Sequence, residues 1–269
     1  VRPSAAEATA FTHVLGAAAT DRLPASFVHV AGFPLALALM TSPVFPMPAL
    51  GMVHIANRVR QSRSLVFGEP LVFTAWAENL RAHRRGALID VHVTASVIGT
   101  PDEADGPGAG ASDAVGDGLE TVWHGVSTYL AKGVEAAGEP EESRAEWEYG
   151  PLEAAGLHAW KLGPEIGKRY GEVSGDTNPI HTSRIGARLF GFPRPIAHGM
   201  YTAARALAEI GEPETGALEW SVAFGKPVVL PARVSLEFAR SGESVDYAVV
   251  RRKDEDTRVH LSGRIAPLA

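Results

Sequence analysis

Tyr170-Gly-Glu-Val-Ser-Gly-Asp-Thr-Asn-Pro-Ile-His181 sets a carboxylate, Asp176, and an imidazole, His181, five residues apart around a Gly-Asp-x-Asn-Pro turn. Ile196-Ala-His-Gly-Met200 follows shortly after. Asn-Pro is turn chemistry: the asparagine amide bonds nearby backbone and proline fixes its own φ. A helical stretch over Ala197 to Ile210 then ends at Gly211, a natural C-terminal glycine. The first N–H groups of a helix are free and lie at the positive end of its dipole. Glycine at such a start, here Gly199, lets backbone approach a ligand closely. An acid, a base and a glycine-bearing helix start suit proton transfer beside a polarised carbonyl. Asp-x-Asn-Pro alone is a common turn, in which a lone Asp or His is usually a cap or surface residue. The weight rests on the joint pattern with Tyr170, Ser174 and His198-Gly-Met200.

Together the two strings resemble the MaoC-like (R)-specific enoyl-thioester hydratase/dehydratase family. The resemblance implies that Asp176 and His181 form the catalytic pair and that the Gly199 amide donates to the thioester carbonyl. Asn178, with Ser174, would brace the turn. Gly171 stands where alanine is common. The match is specific over Trp160 to Ile210. In the first half it rests on element order and on Gly51-Met-Val-His-Ile-Ala-Asn57. Tyr170 and Trp160 read as packing residues. His198 reads as a helix-terminal histidine, with a substrate contact as the other reading.

Outward from the motif, strand patterns occupy Ala217 to Phe224, Ala232 to Ala239, Val245 to Arg251 and Arg258 to Ala266, with a charged turn at Lys253 to Asp256. A second helical stretch covers Ser183 to Phe190. The first half shows the same order. A buried helix is expected from about Phe33-Pro34, since proline suits a first turn, and the cluster Pro43, Pro46, Pro48 stops it. Strands follow over Met52 to Val59, Leu71 to Asn79, Ala87 to Ile98 and Leu119 to Leu130. Apolar residues at 89, 91, 93, 95 and 97 give Ala87 to Ile98 a clean period of two, and Arg84-Arg-Gly86 supplies the hairpin turn before it. The Gly/Ala/Asp/Pro-rich stretch Pro101 to Gly118 is expected to be a solvated loop. By themselves these patterns say α+β with two similar halves; the resemblance implies a double hotdog, two tandem units each wrapping a helix in antiparallel sheet. The expected division is 1–134, a unit without the catalytic motif; 135–150, an acidic linker; and 151–269, the unit carrying it. The resemblance also implies that the unit lacking the motif widens its groove for an acyl chain, with Phe33, Leu35, Leu37, Met40 and Phe45 as lining candidates or plain core.

The 269 residues carry a net charge of −6 and no cysteine. That excludes disulfides, thiolate metal sites and a cysteine nucleophile. The acidic balance argues against a general nucleic-acid or anionic-membrane surface. No apolar run approaches the roughly 18 residues of a membrane span. Val1-Arg-Pro-Ser4 lacks a signal-peptide pattern, and the missing initiator Met suggests that a few leading residues precede it. A cytoplasmic protein is the expectation. Glycine-rich nucleotide loops, a Gly-x-Ser-x-Gly elbow and recognised metal spacings are not found, so neither cofactor nor metal is expected.

The resemblance implies a lyase of fatty-acid metabolism that reversibly hydrates trans-2-enoyl thioesters to (3R)-3-hydroxyacyl thioesters. Its substrate would be an acyl-coenzyme A or an acyl carrier protein thioester. Arg194 and Lys226, which follow turns, are the candidates for phosphate contacts, with Arg184, Arg188 and Arg233 adding positive charge to the same half. A hotdog acyl-thioesterase and a non-catalytic acyl-thioester binder are the competing readings. Chain length, carrier, direction and oligomer stay open, the last between monomer and homodimer.

Overall fold

The computed structural model describes residues 1–98, 118–140, 156–253 and 256–268. Of the loop expected over 101–118, residues 101–117 lie outside these, as do the linker residues 141–150 and the turn residues 254–255. Among the described residues nine strands form one antiparallel sheet. The first half supplies β2 (Val53–Gln61), β4 (Val72–His83), β5 (Gly86–Ile98) and β6 (Leu119–Lys132). The second supplies β7 (Gly156–Leu162), β8 (Leu218–Phe224), β9 (Ala232–Ser241), β10 (Ser244–Lys253) and β11 (Asp256–Pro267). Two short strands, β1 (Arg22–Leu23) and β3 (Leu65–Val66), pair separately.

The seam between halves is β2 against β8, with Asn57 opposite Val222 and Val59 opposite Trp220. Outward from that seam both sides have one connectivity, β2-β6-β5-β4 and β8-β11-β10-β9, and β7 extends only the second. Each half also sends a helix ahead of its seam strand: α2 (Ala25–Met40) before β2, and α6 (Gly199–Ile210) before β8. This is the α+β double hotdog, two copies of one plan sharing a continuous sheet. The core fills the helix-facing side, around Trp123, Trp220, Tyr201 and Tyr247.

α2 corrects the expected helix start. It begins at Ala25, and Pro34 sits inside it. Proline there removes one intrahelical bond, but the helix is packed against the sheet. Gly32 allows a close approach: a Cβ at that position would lie 2.8 Å from Val93 Cγ1 and 3.1 Å from the Phe73 ring. The imperfect alternation of β2 also has a cause, a bulge between His54 and Ala56.

α1 (Ala5–Leu15) was not expected. Ser4 and Glu7 cap it reciprocally, the Ser4 Oγ accepting from Glu7 N and the Glu7 carboxylate from Ser4 N. Its Phe11 reaches Phe27 at 5.5 Å and Tyr170 at 6.1 Å between ring centroids. The chain's first helix therefore supports α3 (Ile166–Ser174), the helix that leads into the motif.

Candidate active site

α3 ends where Gly175 takes φ 74°, the left-handed C-cap conformation. The chain then winds through a series of side-chain turns. Asp176 N donates to Ser174 Oγ, Asn178 N to Asp176 Oδ1 and Ile180 N to Asn178 Oδ1, each at 3.2 Å. Asn178 is thereby the N-cap of the one-turn helix α4 (Pro179–Thr182), with Pro179 in its first turn. His181 completes that turn and is buried. Two glycines of α3 carry the whole loop. A Cβ at Gly167 would sit 2.1 Å from the His181 carbonyl oxygen, and one at Gly171 would sit 2.9 Å from that of Asp176. One turn apart on one face, they form the flat strip on which the motif lies.

The second string arrives from the far side. Ile196 N donates to Ile180 O at 3.1 Å and Ala197 N to Val228 O at 2.9 Å. His198 is the residue before α6 and gives that helix no side-chain cap, so the first-turn N–H groups are left to other partners. His181 Nδ1 lies 2.9 Å from Ile196 O. A carbonyl only accepts, so Nδ1 carries the hydrogen and Nε2 keeps its lone pair. His198 Nε2 likewise donates to Asp176 O at 2.9 Å, and lies 3.8 Å from Asp176 Oδ2. The two imidazoles stack with centroids 3.6 Å apart. Asp176, His181, His198 and the α6 N-terminus at Gly199 thus form one cluster.

Burial pushes the His181 imidazole below its usual range, while the Ile196 carbonyl and the Asp176 carboxylate pull it back up. For His198, burial and the neighbouring His181 hold the ring down to about 3, against its bond to the Asp176 carbonyl. His198 is neutral at working pH. His181 is kept deprotonated, as a base requires.

The chain matches the model of the MaoC like domain over residues 159–261. It is 36% identical over 245 residues to a 3-hydroxyacyl-thioester dehydratase X of Mycobacterium tuberculosis, covering 91% of this chain and 79% of that protein. The chain belongs to the MaoC-like dehydratase family. The crystal structure of the mycobacterial dehydratase X superposes with a TM-score of 0.77 at 31% identity, over 100% of this chain and 97% of that one. A MaoC-like dehydratase from Phytophthora capsici shares the fold at 16% identity, with a TM-score of 0.70 over 99% and 94% of the two chains. A 99-residue segment is 39% identical to a fatty acid synthase subunit beta of Aspergillus oryzae, 34% of this chain and 5% of that protein.

The other residues anticipated for this MaoC-like site divide. Arg194, half-buried, and Lys226, exposed, lie on adjoining loops, joined where Leu230 N donates to Pro195 O at 2.8 Å. Arg184 and Arg188, on the short helix α5 (Arg184–Leu189), and Arg233 are exposed. Met40 is buried, Phe33 and Phe45 pack at the core's edge, and Leu35 and Leu37 are 40% and 41% exposed. Tyr170 is buried with its ring 5.0 Å from His198. Trp160 is buried and donates to Glu209 at 3.0 Å. Sequence reading missed Gly167, Phe224, His54 and Tyr129. The last two belong to the half without the motif, and the Gly51 to Asn57 string was the only sign of His54.

Asp176, His181 and His198 also offer donor atoms within 4.8 Å of one another, close enough in principle for a metal ion. A ring nitrogen binds zinc in its own plane at about 2 Å. An ion between rings stacked 3.6 Å apart would sit far out of both planes. The trio suits a proton network better than a cation.

Proposed function

We propose that this chain is a hydro-lyase that interconverts trans-2-enoyl and (3R)-3-hydroxyacyl thioesters, with Asp176 and His181 as its catalytic pair. The observation that carries the proposal is the orientation of His181: Nδ1–H is tied to Ile196 O, which leaves Nε2 as a free base beside the Asp176 carboxylate. The thioester class is that named for the mycobacterial relative.

In hydration, water sits between His181 Nε2 and Asp176. His181 takes one of its protons while the water oxygen bonds to C3, and Asp176 accepts the remaining O–H. The C2–C3 π pair moves toward C1 and gives an enolate, whose oxygen faces the N–H of Gly199 at the positive end of α6. Protonated His181 returns its proton to C2 on the same face, and the water's two fragments end on C3 and C2. Dehydration is the reverse. Residues 151–269 would carry the chemistry, and residues 1–134 would hold the acyl chain. Arg194 and Lys226 would meet the phosphates of coenzyme A or of a carrier-protein arm. A cytoplasmic setting belongs to the same proposal; among the described residues no helix is long and apolar enough to cross a membrane.

The test is loss of the enoyl-thioester absorbance with crotonyl- and longer enoyl-coenzyme A. Wild type is expected to turn over, and Asp176→Asn and His181→Ala to lose on the order of 10²-fold or more. Near-wild-type hydration by Asp176→Asn would overturn the assignment. Release of free thiol in place of hydration would favour the thioesterase reading.

A further inference from the structure

The half of the sheet without the motif brings its own polar residues to the site. The bulge in β2 lets His54 face Tyr129 and Asn57 face Ser127 across the β2–β6 ladder, so residues three apart project to one side. Ser127 Oγ donates to Asn57 Oδ1 at 2.9 Å, and Ser127 lies near enough to the Tyr129 phenol to favour its ionised form slightly. The His54 ring stacks on Tyr129 at 4.7 Å and lies against Phe224 at 4.9 Å. Phe224 in turn passes 2.9 Å from where a Cβ on Gly199 would stand. His54 is therefore one aromatic ring from the start of α6, and Tyr129 lies within the field of the Asp176 carboxylate.

Two nitrogens here, His54 Nε2 and Asn57 Nδ2, are buried without a hydrogen-bond partner. Stranding a buried polar atom is costly, and an apolar pair could fill the same stack without that cost. Such atoms persist where a ligand or water completes them. Burial also lowers the His54 imidazole to about 3 and raises the Tyr129 phenol above its usual range. Both stay neutral, so they are suited to holding a group rather than exchanging protons with it.

We propose that Tyr129 and His54 are positioning residues that hold the oxygen at C3 against Asp176 and His181. That oxygen is the adding water in hydration and the leaving hydroxyl in dehydration. The role rests on the hydratase reading above.

The two reaction directions make the test. The equilibrium constant belongs to the substrates, so Tyr129→Phe must lower kcat/KM by one factor both ways, about five- to tenfold for one lost hydrogen bond. An enoyl thioester has no oxygen on C3, so in hydration the loss is expected in kcat with KM unchanged. A 3-hydroxyacyl thioester carries the contacted hydroxyl, so in dehydration KM is expected to rise. His54→Phe, which keeps the stack, should repeat the pattern, and Ser127→Ala should show it more weakly. A raised KM for the enoyl thioester would make these residues acyl-chain or carrier contacts and overturn the role. So would losses that track a lowered Tm, or none in either direction. Wild type inert toward every enoyl thioester would instead remove the hydratase reading, and this role with it.

Discussion

The imidazoles of His181 and His198 lie face to face, centroids 3.6 Å and planes 25° apart, and each is pinned by a backbone carbonyl, at Ile196 and Asp176 respectively. His198 therefore fixes the plane of the proposed base while tying down the residue that carries the carboxylate. Its position before α6 couples both to the helix that would receive the enolate.

His198→Ala should cost both functions of that ring. We expect kcat to fall about 10- to 100-fold through misorientation of the catalytic pair. Stability should fall by about 1–3 kcal/mol as the Asp176 carbonyl loses its donor. His198→Phe keeps a stacking surface and loses only the donor, so it should match the stability loss while retaining more kcat. Steady-state kinetics and urea denaturation on both variants separate the terms. Wild-type kcat in His198→Ala would show that the stack does not orient His181.

The glycine strip of α3 gives a second, ranked expectation. At Gly167 a methyl group would sit 2.1 Å from the His181 carbonyl oxygen and 2.9 Å from its carbon. These are backbone atoms, so the loop must move. A displacement of about 1 Å at a catalytic group can cost on the order of 10²-fold, and Gly167→Ala should lose that much kcat. At Gly171 the nearest atom is the Asp176 oxygen at 2.9 Å and the next is 3.7 Å away, which a small adjustment relieves. Gly171→Ala should stay within about tenfold of wild type. It should gain back part of the strain from helix propensity, about 0.5–1 kcal/mol. Equal effects at the two positions would show that the strip does not set the loop's position.

How much of this was legible in the sequence depends on the range of the interactions involved. The motif loop was readable because its bonds are local: Ser174, Asp176 and Asn178 each cap backbone two residues on. The doubled plan was readable from element order. α1 was overlooked although Ser4-Ala-Ala-Glu7 spells a capping box. Pro34 suits a first-turn position, yet α2 runs through it, because packing on Val93 and Phe73 sustains the helix around it. The edge strand β7, with exposed His158 and Lys161, offers little alternation. The pairing of His54 with Tyr129 has no local signal beyond the Gly51 to Asn57 string: it depends on the register of β2 with β6 and on one bulge.

Acid should destabilise the fold, and the titrating groups set the window. Burial lowers His29 from 6.5 to about 4, and His54 and His198 to about 3. For each, the unfolded chain binds its proton first, so the stability is present above about 6.5 and is lost as pH falls through the folded value. Each group contributes a slope of up to about 1.4 kcal/mol per pH unit. Glu212 works the other way. Burial raises its carboxyl from 4.5 to about 7, against its bond from Ala25 N and the charge of Arg22. Its stability is full below 4.5 and is lost as pH rises through about 7. These three imidazoles, with His181 and His260, which burial also lowers, oppose one raised carboxyl, so between pH 6.5 and 5 the loss wins. Urea midpoints at pH 8, 6.5 and 5 should fall steeply over the last interval. His54→Phe should remove about one proton from that slope. Glu212→Gln should steepen the slope and raise stability at pH 8, where the wild-type carboxylate is ionised at the start of α2. A midpoint flat down to pH 5 would mean that these rings are already protonated in the fold, and the neutral roles given to His54 and His198 would fall with it.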